Sequence, residues 1–174
     1  VSGLDGQNMR TSDGDPEDTH PQVTTCSGLA SFTGKVVLVT GGAGFIGSDV
    51  AELLLSRGDR VLLVDEVNDY YDVRIKRSNL AMLRGTFPAD RLSIFEGDIC
   101  DEQFISAIFE QHKPQWVVHL AARAGVRPSI QDPFIYIHSN ITATTRLHEL
   151  ARIHGNSSFV FASSSSVYGA REND

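Results

Sequence analysis

The run Val36-Val-Leu-Val-Thr-Gly-Gly-Ala-Gly-Phe-Ile-Gly47 constrains the fold of this chain more than any other stretch. Val36 to Val39 is short and wholly apolar, as expected of a strand buried on both faces. Gly41, Gly44 and Gly47 follow in G-x-x-G-x-x-G spacing. From Phe45 the apolar period lengthens, with Ile46, Val50, Leu53 and Leu54 at helical intervals. The glycines therefore sit at a strand-to-helix turn. An early glycine permits the tight turn, a middle one lets main chain approach a pyrophosphate, and a late one lets helix and strand pack closely. The free N–H groups and the dipole of the helix start favour an anion. The pattern predicts a dinucleotide site; the alternative is a Gly-rich turn that binds nothing.

Downstream, apolar runs alternate with helical periods. The first helix is expected to end at Arg57-Gly58. Arg60 to Val64 reads as a second strand with Asp65 at its end, eighteen residues past Gly47. A carboxylate there accepts hydrogen bonds from adenosine ribose hydroxyls and repels a 2′-phosphate, which favours NAD over NADP. A helix is predicted from Val73 to Arg84, with Ile75, Leu80 and Leu83 inward and Arg74, Lys76, Arg77 and Arg84 on a solvated face. Leu92 to Glu96 is the third strand, closed by Gly97-Asp98-Ile99. Asp101 is a suitable N-cap for a helix bearing Phe104, Ile105, Ile108 and Phe109, which Pro114 ends. Gln115 to Leu120 is the fourth strand, and its His119 is expected in the core, hydrogen-bonded.

Ala121 to Gly125 offers small residues at a strand end, where a flat ring or ribose can come close, and Arg123 and Arg127 are candidates for phosphate or an acidic substrate. Pro128 and Pro133 bracket a predicted loop. A long helix from Pro133 to His154, with Asn140 facing in, precedes a fifth strand at Ser157 to Ala162 and the run Ser163 to Ser166. The alternation gives an α/β fold, a doubly wound parallel sheet of order 3-2-1-4-5. Every candidate residue falls at a strand carboxyl end, where ligands of such sheets sit.

Residues 1–33 are polar, and Asp5, Asp13, Asp15, Glu17 and Asp18 face only Arg10. They are expected to form a disordered acidic tail, with the dinucleotide-binding domain at 34–174. A net charge of −7 speaks against a nucleic-acid surface, and no run of 18 apolar residues exists to cross a membrane. Cys26 and Cys100 form no CxxC pair, so no metal site is expected from them. A reducing, cytoplasmic setting is the expectation. The first residue is Val1 and the last four are Arg171-Glu-Asn-Asp174, which suggests a fragment of a longer protein.

Thr40-Gly-Gly-Ala-Gly-Phe-Ile-Gly47, Gly97-Asp98-Ile99, His119-Leu-Ala-Ala122 and Ser163-Ser-Ser-Ser-Val-Tyr-Gly169 resemble the extended short-chain dehydrogenase/reductases, the NAD-dependent epimerase/dehydratase family. Asn68-Asp-Tyr-Tyr-Asp72 and Ala124-Gly-Val-Arg127 are most similar to the UDP-glucuronate 4-epimerases among them. The resemblance implies NAD contacts from Gly41, Gly44, Phe45, Ile46, Gly47, Asp65, Asp98, Ile99, Leu120, Ala121, Ala122, Ala124 and Asn140. It implies a transient oxidation at sugar C4, with Ser164 on the position that hydrogen-bonds the 4-oxygen. Ser165, Ser166 and Arg127 would face the UDP-sugar, and the helices starting near 101 and 133 would make a homodimer face. The dehydratases of the family carry Asp-Glu where Ser165-Ser166 stand, which argues against elimination; UDP-glucose/galactose epimerisation stays open. The family's base is a Tyr with Lys four residues later. After Tyr70, Tyr71, Tyr136 and Tyr168 the fourth residues are Arg74, Ile75, Asn140 and Glu172. These 174 residues are therefore expected to be inactive alone, and a non-catalytic NAD-binding module is the competing expectation.

Overall fold

A computed structural model describes residues 34–156 and 158–169. The expected acidic tail at 1–33 lies outside them. Five strands, β1 (Val36–Thr40), β2 (Arg60–Asp65), β3 (Leu92–Glu96), β4 (Trp116–His119) and β5 (Ser158–Phe161), form one sheet in the order β3-β2-β1-β4-β5. All four pairings are parallel. The central strands read as apolar runs because both faces are covered. Val37, Val39, Val61 and Leu63 pack on one side against α1 (Phe45–Arg57) and α2 (Val73–Thr86) through Leu54, Leu55, Leu80 and Leu83. Leu38, Leu62, Val64 and Val117 pack on the other, against α3 (Glu102–His112) and α6 (Ala143–Ile153) through Ile105, Ile108, Phe109 and Leu147. The period-two alternation of the strands thus sorts one set of side chains into two cores.

Helix boundaries follow local chemistry. Gly58 caps α1 in the left-handed region, at φ 106°. The Asp72 carboxylate accepts from the Arg74 N–H at the start of α2, and Asp101 accepts from the N–H groups of Gln103 and Phe104 at the start of α3. Lys113, also left-handed, closes α3 just before Pro114.

The structure corrects several expectations. Ile75 is exposed and its neighbour Lys76 is buried, so the inward stripe of α2 is Lys76, Leu80 and Leu83. Lys76 therefore leaves the supposed solvated face. On α1, Ile46 and Leu53 are exposed, and the small residues Gly47, Ser48 and Ala51 take the sheet side with Leu54 and Leu55. The segment between Pro128 and Pro133 is not a loop: it holds α4 (Val126–Gln131). Pro128 sits in its first turn, where a helix has no partner for the missing N–H. The long helix from Pro133 exists in three consecutive pieces, α5 (Pro133–Tyr136), a π-helical turn at Ile137–Thr142, and α6. Among the described residues, no helix is long and apolar enough to cross a membrane.

Candidate functional site

The cleft lies at the carboxyl ends of the strands and has about 770 Å³ of space free of protein atoms, part of it open to solvent. Its floor is the Gly-rich turn. Gly41 leaves β1 at φ +70°, and a Cβ there would come within 2.8 Å of the Ala121 nitrogen. A Cβ on Gly47 would stand 2.0 Å from the Gly41 carbonyl oxygen. These two glycines are demanded by main-chain packing of turn, helix and the β4 loop. Gly44 differs: its φ is an ordinary −73°, and it lines the cleft beneath the Tyr71 hydroxyl. No side chain caps α1, so the N–H groups of Phe45, Ile46 and Gly47 present the positive end of the helix. The Phe45 and Ile46 side chains point into solvent; what these residues offer a ligand is main chain.

Asp65 stands at the end of β2, buried except for its edge on the cleft. Its oxygens accept from the Ala43 N–H at 3.1 Å and the Val67 N–H at 2.8 Å. Two of the roughly four lone-pair positions of a carboxylate remain for the donors of a ligand. Lys76 reaches the same carboxylate at 3.7 Å, donates to Asn68 Oδ1 at 2.8 Å, and lies over the Tyr71 ring. Periodicity missed Lys76, Asn68 and Tyr71, all of which line the cleft. The signal for Lys76 was a cation one residue out of phase on a helix that follows an acidic strand end.

Asp98 and Ile99 line the cleft beyond β3. Burial alone would raise the Asp98 carboxyl, but the Cys100 N–H and the His138 ring hold it below its ordinary value. Leu120, Ala121, Ala122 and Arg123 form the opposite wall. Asn140 does not line the cleft. Its side chain accepts from the Arg123 N–H at 2.8 Å and donates to the Arg123 carbonyl at 2.9 Å, so it holds the wall. Ala124 is drawn the other way, its carbonyl accepting from both Tyr70 and Tyr136 hydroxyls. Tyr70 thereby ties the β2–α2 loop to the loop after β4.

His119 is in the core as expected, 1% exposed. Thr144 Oγ1 donates to the Asn140 carbonyl and so accepts from His119 Nε2–H at 2.8 Å. Thr40 Oγ1 donates to Nδ1 at 2.7 Å and accepts from the Ala121 N–H. This chain of bonds requires a neutral ring, and burial, with His148 nearby, pushes its pKa down to about 4. It links strand, wall and helix in one network.

Ser163 to Ser166 leave β5 exposed. Ser164 Oγ accepts from the Ser166 N–H, and Ser165 and Ser166 begin a 3-10 turn that runs to Tyr168. Arg127 is exposed on α4. Neither the run Ser163 to Ser166 nor Arg127 lines the cleft.

The family described as GDP-mannose 4,6 dehydratase matches residues 38–174. The chain belongs to that family. Among curated relatives of known activity, a UDP-glucuronate 4-epimerase of Thermodesulfobacterium geofontis is 45% identical over 134 residues, covering 77% of this chain and 41% of the relative. UDP-glucuronate 4-epimerase 2 of Arabidopsis thaliana is 43% identical over 151 residues, covering 85% of this chain and 33% of the relative. The Thermotoga maritima UDP-glucose 4-epimerase with UDP-glucose superposes with a TM-score of 0.66 at 33% identity, over 80% of this chain and 41% of that one. The Thermus thermophilus UDP-glucose 4-epimerase complex with NAD gives 0.62 at 35% identity, over 74% and 37%. The chain thus spans well under half the length of these family members.

Proposed function

We propose that these residues form the NAD-binding part of a nucleotide-sugar 4-epimerase, with UDP-glucuronate as substrate and UDP-galacturonate as product. The observation that carries this reading is that Gly41 and Gly44, the turn that leads into the uncapped start of α1, line one cleft together with the Asp65 carboxylate. The main-chain N–H groups fit a diphosphate, Asp65 fits a ribose, and Asp98 with Ile99 fits an adenine edge. Leu120, Ala121 and Ala122 give the nicotinamide end a wall without bulk. NAD, when bound, would supply the hydride acceptor for oxidation at sugar C4. This chain's residues bind and orient: the glycines admit the diphosphate, and the Thr40–His119–Thr144–Asn140 network holds the nicotinamide wall. Ser164 is proposed to hydrogen-bond the sugar 4-oxygen, with Ser165, Ser166 and Arg127 toward the rest of the sugar.

Binding and turnover are separable here. None of the four tyrosines has a lysine four residues on, so no Tyr–Lys pair of the family pattern can take the sugar proton. Titration of the purified protein with NAD is expected to show one site, while UDP-glucuronate is not converted. Asp65→Asn is expected to weaken NAD by about 10- to 100-fold, the worth of a hydrogen bond to a charged acceptor. A folded protein that gives no heat with NAD overturns the reading. UDP-glucose epimerisation is the second reading, favoured by the Thermotoga and Thermus neighbours; a panel of UDP-sugars offered to a chain carrying the Tyr–Lys pair decides between them. The exposed Ile141 and Ile153, beside a groove also lined by Glu102 and Ser106 of α3, are proposed as a homodimer face, which sedimentation tests.

A further inference from the structure

Asp98, Cys100 and His138 come together at the adenine end of the cleft, from two segments forty residues apart. One carboxylate oxygen, the thiol sulfur and one imidazole nitrogen all lie within 4.8 Å of one another. Asp98 and Cys100 flank Ile99, whose side chain is buried in the core, and this D-x-C spacing turns both polar side chains the same way. His138 is on the π-helical turn and meets Asp98 through Nε2 at 3.0 Å. The Cys100 thiol donates to the His138 carbonyl oxygen at 3.0 Å. Such π-helical turns are rare and recur at functional sites.

We propose that Asp98, Cys100 and His138 form a three-ligand site for zinc on the rim of the cofactor cleft. The donor set is one sulfur, one nitrogen and one oxygen. It suits a borderline-soft divalent ion and is wrong for magnesium or calcium, which take oxygen ligands. Three protein ligands leave a fourth tetrahedral position for water, and partial exposure of all three residues leaves a path for the ion. Arg146, beside Cys100, is turned to the main chain: it donates to the Cys100 carbonyl and pairs with Glu102. Asp98 is oriented by the Cys100 N–H on its other oxygen at 2.8 Å, the kind of outer hydrogen bond that fixes a ligating carboxylate. Binding moves the thiol proton to solvent as the sulfur takes the metal.

The site does not depend on the dinucleotide reading, because it is measured on protein free of nucleotide. The untagged chain carrying Cys26→Ser, so that Cys100 is the only thiol, is titrated with Co²⁺ and then with Zn²⁺. The expected result is one equivalent of Co²⁺, a thiolate-to-cobalt charge-transfer band in the near ultraviolet, and its stoichiometric loss on adding Zn²⁺. Cys100→Ser is expected to abolish the band. His138→Ala, at a side chain 53% exposed, is expected to weaken zinc by at least about tenfold, the lower range for loss of even an outer-shell partner. Circular dichroism checks that each variant keeps the fold of the parent. A titration without the band, or a band that survives Cys100→Ser, overturns the proposal. So does zinc affinity unchanged in His138→Ala.

Discussion

Replacing His119 by glutamine tests the buried network through its pH dependence. The ring titrates near 6.5 in an unfolded chain, and in the fold it is pushed down to about 4. Between these values the unfolded chain binds a proton that the native chain does not. Stability therefore rises with pH across this window, and it is lost as pH falls from the unfolded value toward the folded one. Integrating the linkage gives a loss of about 2 kcal/mol from pH 7 to pH 5, and about 3 kcal/mol in full. Against a total of roughly 5–15 kcal/mol this is large. The structural cause is specific. Thr144 gives its proton to a carbonyl, so Nε2 must donate; Nδ1 is then the acceptor for Thr40, and a second ring proton has nowhere to go. Glutamine keeps a donor and an acceptor but has no proton to gain. Urea unfolding followed by circular dichroism at half-unit steps from pH 7 to pH 5 measures both proteins. His119→Gln is expected to be less stable at pH 7 by about 1–3 kcal/mol, and to lose about 2 kcal/mol less than the parent on going to pH 5. Titratable groups that do not interact with the ring are common to both proteins and cancel in the difference. Equal slopes would refute the argument.

The glycines separate fold from binding. Gly47→Ala drives a methyl group into the Gly41 carbonyl and is expected to cost at least about 1–3 kcal/mol, the penalty for overpacking, read as a lower urea midpoint. Gly44→Ala meets only contacts of 3.1 and 3.4 Å; its midpoint is expected to stay within about 1 kcal/mol while NAD binding weakens, by calorimetry. Lys76→Met strips a buried ammonium from Asp65 and is expected to cost about 1–3 kcal/mol; an unchanged midpoint would show that the contact is neutral. If both the zinc and the dinucleotide readings hold, one equivalent of Zn²⁺ weakens NAD in the parent chain, because both draw on Asp98, and does so less in His138→Ala.

What was legible in the sequence is what the main chain demands. Inner parallel strands need apolar runs on both faces, so β1 and β2 each differ from expectation by one residue. A turn whose backbone touches a neighbouring loop needs glycine, so Gly41 and Gly47 announce themselves. Caps at Asp101 and Gly58 follow for the same reason. What was illegible depends on side chains meeting across loops. Periodicity places Ile75 inward because it is apolar. The fold instead turns Lys76 in, since its ammonium finds Asp65 and Asn68 there. Two prolines signal a loop, yet Pro128 falls in a helix's first turn, which accepts it. Asn140 was expected to face inward, but nothing in the chain before it shows that its amide would be spent on Arg123. A search for paired cysteines passes over Cys100, whose companions are an acid two residues away and a histidine thirty-eight residues on. The same division runs through the site. The end proposed for diphosphate and ribose offers main-chain N–H groups and one strand-end acid, and so can be argued from sequence pattern. The proposed sugar end rests on the exposed hydroxyls of Ser164, Ser165 and Ser166, which themselves lie outside the cleft lining. Hydroxyls accept and donate to almost any sugar oxygen. Discrimination between a carboxylate and a hydroxymethyl at sugar C5 must therefore come from a charged group placed beside them. Arg127 is the cation proposed for that role, and its distance from those serines in a sugar-bound chain is the quantity on which the choice of UDP-glucuronate turns.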